Sequence, residues 1–276
     1  MSYATLMLHL ELGRSNAALL DLAVDLAERF QAGVIGVTAC KPAAFVAGDG
    51  YMDGALIDAE YRQLAQESEI AEVEFRAALQ GRLAGPLGWR STRDYAPLVD
   101  YIAHQARAAD LIVTTAVKGE LFDASRAVDT GSLVMQAGRP VLVMPIAGTP
   151  LTYSHALVAW NNSREARRAV NDALPLLARM AKVTVVEIAD ESDMADARER
   201  VADVVAWLAC HRITATPLVS PSIEDDAEAI YTLAQDQGAD LIVAGAYGHG
   251  RLREWVLGGV TRDLLLRADR CTLLSH

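Results

Sequence analysis

Long apolar runs are missing from this chain. None approaches the roughly 20 residues that a helix needs to cross a bilayer, so no membrane partner is expected. Cysteine is scarce: Cys40, Cys210 and Cys271 stand far apart with no CxxC pair. That spacing argues against a disulfide framework or a zinc site and fits a reducing compartment. Cys210 and Cys271 have apolar neighbours and are expected to be small core residues. Positive charge is in deficit, with 25 Lys and Arg against 36 Asp and Glu and a formal net charge of -11. A surface this acidic disfavours general binding to nucleic acid or to anionic membranes. No two histidines have HxH or HxxxH spacing, so no metal site is expected. There is no GxSxG elbow and no GxxxxGK[ST] loop, so no catalytic residue is assigned and fast ATP hydrolysis is not expected. The first residues, Met-Ser-Tyr-Ala-Thr-Leu, put no basic stretch ahead of apolar ones. No signal peptide is expected there, and a cytoplasmic protein is.

What the chain does have is a repeated alternation of strand and helix. Its 276 residues are 52% hydrophobic, enough for one large core or two ordinary ones. Residues 4–11 read as a strand, and Leu19, Leu22, Ala23 and Leu26 recur at helical spacing behind Ser15 or Asn16 as the cap. Further strands are expected at 33–38, 88–92, 110–115 and 140–144, with helices at about 54–83, 97–108 and 129–137. Pro145 to Pro150 reads as a linker. The order then begins again, with strands at 155–160, 182–188, 214–219, 240–244 and 271–274. Leu8, Ala17 and Ala32 fall on Leu157, Ala166 and Ala181 at an offset of 149. Tyr101, Gln105 and Asp110-Leu-Ile-Val fall on Tyr231, Gln235 and Asp240-Leu-Ile-Val at an offset of 130. The offsets differ by 19 residues, carried by the first half between 40 and 83. Such a repeat predicts two homologous α/β domains, each a parallel, doubly wound sheet.

The second copy carries a glycine-rich stretch. A buried strand, 241–244, runs into Gly245, Gly248 and Gly250, and Gly258 and Gly259 then open a helical segment from Val260 to Ala268. Strand, glycine loop and helix N-terminus can cradle a phosphate, although glycines also serve as plain turn punctuation. At the end of the first strand of the same copy stand Trp160, Asn161, Asn162 and Ser163. They read either as helix-capping residues or, for Asn161, as a nucleotide contact in the same crevice. His249 lies within the glycine loop and could act on a phosphate.

The spacing Gly245-x2-Gly248-x9-Gly258, with Val260 and Thr261 behind it, resembles the ATP-binding signature of the universal stress protein family. Asn161-Asn-Ser-Arg-Glu-Ala166 resembles the segment after that family's first strand. The resemblance implies two Rossmann-like domains of the adenine-nucleotide alpha-hydrolase kind, five strands each, at 1–147 and 154–276. It implies an ATP site, with or without Mg2+, built from Ala159, Trp160, Asn161, Ile188, Gly245, Gly248, Gly258, Gly259, Val260 and Thr261. It also implies a regulatory or protective stress-response protein rather than an enzyme, with its domains paired within the chain or in a homodimer. The alternatives are a dimeric interaction scaffold that binds no nucleotide and a slow ATP hydrolase using His249. Two residues depart from the family pattern: Asn161 stands where Asp is usual, and Gly259 where Ser is frequent. In the first copy Glu11 and Leu12 replace Trp160 and Asn161, and Ala127 and Val128 replace Gly258 and Gly259. The first domain is therefore expected not to bind ATP in the family manner.

Overall fold

A computed structural model describes residues 2–42, 54–93, 97–116, 123, 125–222, 226–246 and 269–276. The chain divides into two compact units, Ser2–Arg139 and Pro140–His276.

In the first unit, β1 (Thr5–His9), α1 (Ala17–Phe30), β2 (Gly33–Ala39), α2 (Gly54–Leu79), β3 (Leu87–Thr92), α3 (Leu98–Gln105), β4 (Leu111–Thr115) and α4 (Thr130–Gln136) follow in order. The strands pair in the order β3-β2-β1-β4, all parallel. The apolar run of β1 suits a central parallel strand covered on both faces, and Leu6, Met7 and Leu8 are fully buried. Each such side chain contributes about 1.5–3 kcal/mol by leaving water. The expected helical stripe of α1 is buried as well: Leu19, Leu22, Ala23 and Leu26 all face the core. Asn16 precedes that helix but does not cap it with its side chain. Its amide instead clamps the backbone of Glu11, accepting from the Glu11 N–H at 3.0 Å and donating to the Glu11 carbonyl at 3.0 Å.

The second unit contains β5 (Val141–Met144), β6 (His155–Trp160), α5 (Arg164–Leu177), β7 (Lys182–Ala189), α6 (Met194–Cys210), β8 (Ala215–Pro221), α7 (Asp226–Asp236), β9 (Leu241–Gly245) and β10 (Cys271–Ser275). Its strand order is β5-β10-β9-β6-β7-β8. All neighbours are parallel except β5, which runs antiparallel to β10 with Val143 opposite Thr272 and Val141 opposite Leu274. Outermost β8 is only partly covered and holds Pro217, which an edge strand tolerates because one side of its backbone needs no partner. In each unit the strands and helices form the doubly wound α/β arrangement expected from the alternation. One expectation is overturned: Cys271 is buried, but Cys210, in the last turn of α6, is exposed. Its position falls on the solvent side of that helix, where Ala197, Val201, Val204 and Leu208 form the buried stripe.

The repeated Asp-Leu-Ile-Val has a structural explanation. Asp110 accepts from the backbone N–H groups of Ala4 and Thr5 at 2.7 and 3.0 Å. Asp240 accepts from the N–H groups of Thr152, Ser154 and His155 at 2.7, 3.2 and 3.0 Å, and from the Thr152 hydroxyl at 2.6 Å. In each unit the aspartate ahead of the fourth strand of the repeat pins the entry to the first. Burial alone would raise the Asp240 pKa, but these donors outweigh it and hold the carboxyl below its ordinary value.

Candidate functional site

In the second unit the chain goes from β6 outward to β7 and β8, then returns to the other side of β6 for β9. The crossovers therefore lie on opposite faces on either side of the β6/β9 pair, which is where open α/β sheets form a crevice at their carboxyl ends. β6 ends at Trp160 and β9 at Gly245, with Ala159 in register with Ala244. Asn161 and Gly245 thus follow or end the two strands that frame the crevice.

The loop from β6 into α5 is set by short polar contacts. Asn161 is exposed, and its Oδ1 accepts from the Ser163 hydroxyl at 2.7 Å and from the Ser163 N–H at 3.3 Å. Asn162 adopts φ +51°, a left-handed conformation that asparagine tolerates better than most residues. Ser163 is the N-cap, its hydroxyl accepting from the Ala166 N–H at 3.0 Å. The capping reading of this segment therefore holds for Ser163. Asn161 orients the capping serine.

Gly245 is held for packing. A Cβ there would lie 2.4 Å from the Ala166 nitrogen and 2.5 Å from the Glu165 carbonyl carbon, both backbone atoms of α5. The glycine lets the first turn of α5 close onto the end of β9. Glu165 in that turn is buried, and its carboxylate pairs with Arg164 at 2.7 Å. Burial would raise its pKa, but its own N–H and Arg164 prevail and lower it. An acidic group at a helix N-terminus is stabilised by the helix dipole.

Strand alternation separates the remaining candidates. Ala159 is in register with Val186, so Ile188, two residues on, shares its face. Ile188 is half-buried. Trp160 is in register with Glu187 on the opposite face. Its indole is nearly buried, and Nε1 has no hydrogen-bond partner among the described residues. Gly248, His249, Gly258, Gly259, Val260 and Thr261 lie outside the described residues.

Sequence reasoning missed two polar clusters in this unit. Buried Glu187 accepts from Arg200 at 2.6 and 3.0 Å, and Arg200 also meets Asp193 at 2.5 Å. These hydrogen bonds raise the pKa of Arg200 and lower that of Asp193. His155, nearly buried at the start of β6, lies 2.9 Å from the Thr184 hydroxyl and 3.1 Å from the Gln237 carbonyl. An acidic residue inside an apolar strand run and an Arg on the next helix were the available signal for the first. His155 offered none beyond its presence in a strand. Among the described residues no group of three or more His, Cys, Asp or Glu side chains could hold a metal ion, and no helix is long and apolar enough to cross a membrane.

Comparison with known proteins adds a family match within the second unit and a fold for the chain. Residues 222–274, a span that includes the whole glycine-rich stretch, match the model of the universal stress protein family. No curated protein matches the chain. Among solved structures, a universal stress protein from Archaeoglobus fulgidus DSM 4304 is similar over 99% of this chain and 98% of its own, with TM-score 0.72 and 13% identity. A functionally unknown protein from Pseudomonas aeruginosa PAO1 is similar over 99% of this chain and 92% of its own, with TM-score 0.63 and 18% identity. At these identities the likeness is one of fold. A universal stress protein from Archaeoglobus fulgidus, in complex with dAMP, covers 44% of this chain and 97% of its own, at 22% identity and TM-score 0.37. Residues 222–274 are thus similar to the universal stress protein family, and the chain as a whole shares the tandem fold of a universal stress protein structure.

Proposed function

We propose that the chain binds ATP through its second copy of the fold and acts as a regulatory or protective factor, not as a catalyst. In this reading 1–147 and 154–276 are homologous domains, and only the second keeps the nucleotide site. The observation that carries it is topological: Asn161 and Gly245 stand at the carboxyl ends of β6 and β9, where the winding of the sheet reverses. Ala159 and Ile188 would line the base. Gly245 would fix the position of the loop, and Gly248, Gly258, Gly259, Val260 and Thr261 would offer backbone and hydroxyl donors to the phosphates. The residues present suit ATP without a required metal, since Asn161 supplies no charge to a cation.

Isothermal titration of the whole chain with ATP tests the proposal. One site per chain is expected, and replacement of Gly258 by a bulky residue should remove it with the circular dichroism unchanged. Two equivalent sites, or none, would overturn it.

One observation favours a second reading, an interaction scaffold without nucleotide. The first turn of α5 already holds the buried carboxylate of Glu165 beside Gly245, and a phosphate brought close to it would be repelled. Mass spectrometry of ligand released from the purified protein separates the two readings.

A further inference from the structure

The first unit has its own reversal point between β1 and β4, and a cavity of about 290 Å³ lies beyond the end of β1. It is lined by Glu11, Arg14, Gln63, Glu67, Asp123 and Arg126 together with Leu12, Gly13 and Ala127. This volume is at the foot of the range of about 300–1,000 Å³ for small-molecule sites, so the cavity suits something smaller than a nucleotide.

Most of the charge around it is already paired. Arg126 donates to Glu67 at 2.7 and 3.3 Å and to Asp123 at 3.0 Å. Gln63 donates to Glu67 Oε1 at 2.8 Å, the oxygen that Arg126 reaches at 3.3 Å, and the other oxygen of Asp123 accepts from the Ser125 hydroxyl at 2.7 Å. Glu11 differs. One of its oxygens meets Arg14 at 3.2 Å, while Oε1 has no hydrogen-bond partner among the described residues. The residue is only 6% exposed, and its backbone is fixed by the Asn16 amide. Gly13, at φ +73°, turns the chain so that 11–14 wrap one side of the cavity. A nearly buried carboxylate oxygen without a donor is costly and is relieved by one. Three carboxylates face two guanidinium groups here, so the lining carries one excess negative charge, and a cationic donor is favoured over a neutral one.

We propose that this cavity binds a small organic monocation, its primary ammonium group seated against Glu11. The first domain has then exchanged a nucleotide site for a cation site at the equivalent edge of its sheet. The site is separate from the ATP site proposed for the second domain, and either could fail without the other.

The test is isothermal titration of the full chain with n-butylammonium chloride, with n-butanol and sodium butyrate as controls. Saturable binding of one n-butylammonium per chain is expected, with both controls at least tenfold weaker. Glu11→Gln should weaken n-butylammonium at least tenfold. Gln63→Trp, at an exposed helical position on the rim, should block the cavity and abolish binding while the circular dichroism is unchanged. Absence of saturable binding, equal binding of n-butanol, or undiminished affinity in Glu11→Gln would overturn the proposal. Should Glu11→Gln not fold, undiminished affinity in Gln63→Trp overturns it alone.

Discussion

His9 lies wholly inside the first sheet, with Nδ1 3.0 Å from the Thr114 hydroxyl and Nε2 without a partner among the described residues. Burial lowers its pKa from 6.5 to about 4. Between those values the unfolded chain takes up a proton that the folded chain refuses, so stability is whole above pH 6.5 and falls with pH down to about 4. The shift corresponds to a loss of about 3 kcal/mol across that window. Urea melts from pH 7 to pH 4 should show it, and His9→Gln should flatten the slope. Asp240 titrates lower. Its folded pKa is depressed, so its contribution is present above the unfolded value and disappears as pH falls through the folded one. Asp240→Ala removes four hydrogen bonds to one carboxylate and should cost about 1–3 kcal/mol at pH 7, read from the same melts. At Gly245 the sequence invited a ligand-facing reading, because glycine spacing is what a phosphate loop displays. The structure supplies a nearer reason, the contact with the backbone of Glu165 and Ala166. Gly245→Ala should destabilise the fold by about 1–3 kcal/mol through overpacking, whether or not ATP is present.

At the level of elements, strands and helices were legible because their apolar periodicity is intact. β1 and β9 read as buried runs, and α1 showed its buried stripe in the spacing of its leucines. Ends were less legible. Asn16 appeared to be a cap and instead holds Glu11, since a side chain near a helix start can bond backward as readily as forward. Cys210 was misplaced because local apolar composition does not say which face of α6 a residue occupies. The link between β7 and α6 through Glu187, Arg200 and Asp193 was not visible, because partners 13 residues apart meet only once the crossover is folded. Arg200→Met leaves Glu187 buried without its partner. The cost should fall toward the low end of the about 3–5 kcal/mol for breaking a buried pair, because Arg200 itself is 25% exposed. Thermal unfolding of the variant measures it.

For the whole molecule, the two copies agree at the amino edge of their sheets and part at the carboxyl edge. Asp110 and Asp240 do the same work in both, whereas Glu11 and Trp160 occupy equivalent positions with opposite hydrogen-bonding character. The repeat, and so the fold, could be read from what the copies share. The candidate sites could be read only in part, since Arg126, Glu67 and Asp123 line one cavity with Glu11 from segments far away in sequence.

The pairing of β5 with β10 decides where this gene can be cut. By repeat boundaries the second domain would be expressed from residue 154, and that fragment would lack the strand that covers one side of β10. Its exposed backbone would be a template for self-association. Expression from Pro140 retains the cover. Size-exclusion chromatography of the two fragments should give larger species for 154–276 than for 140–276.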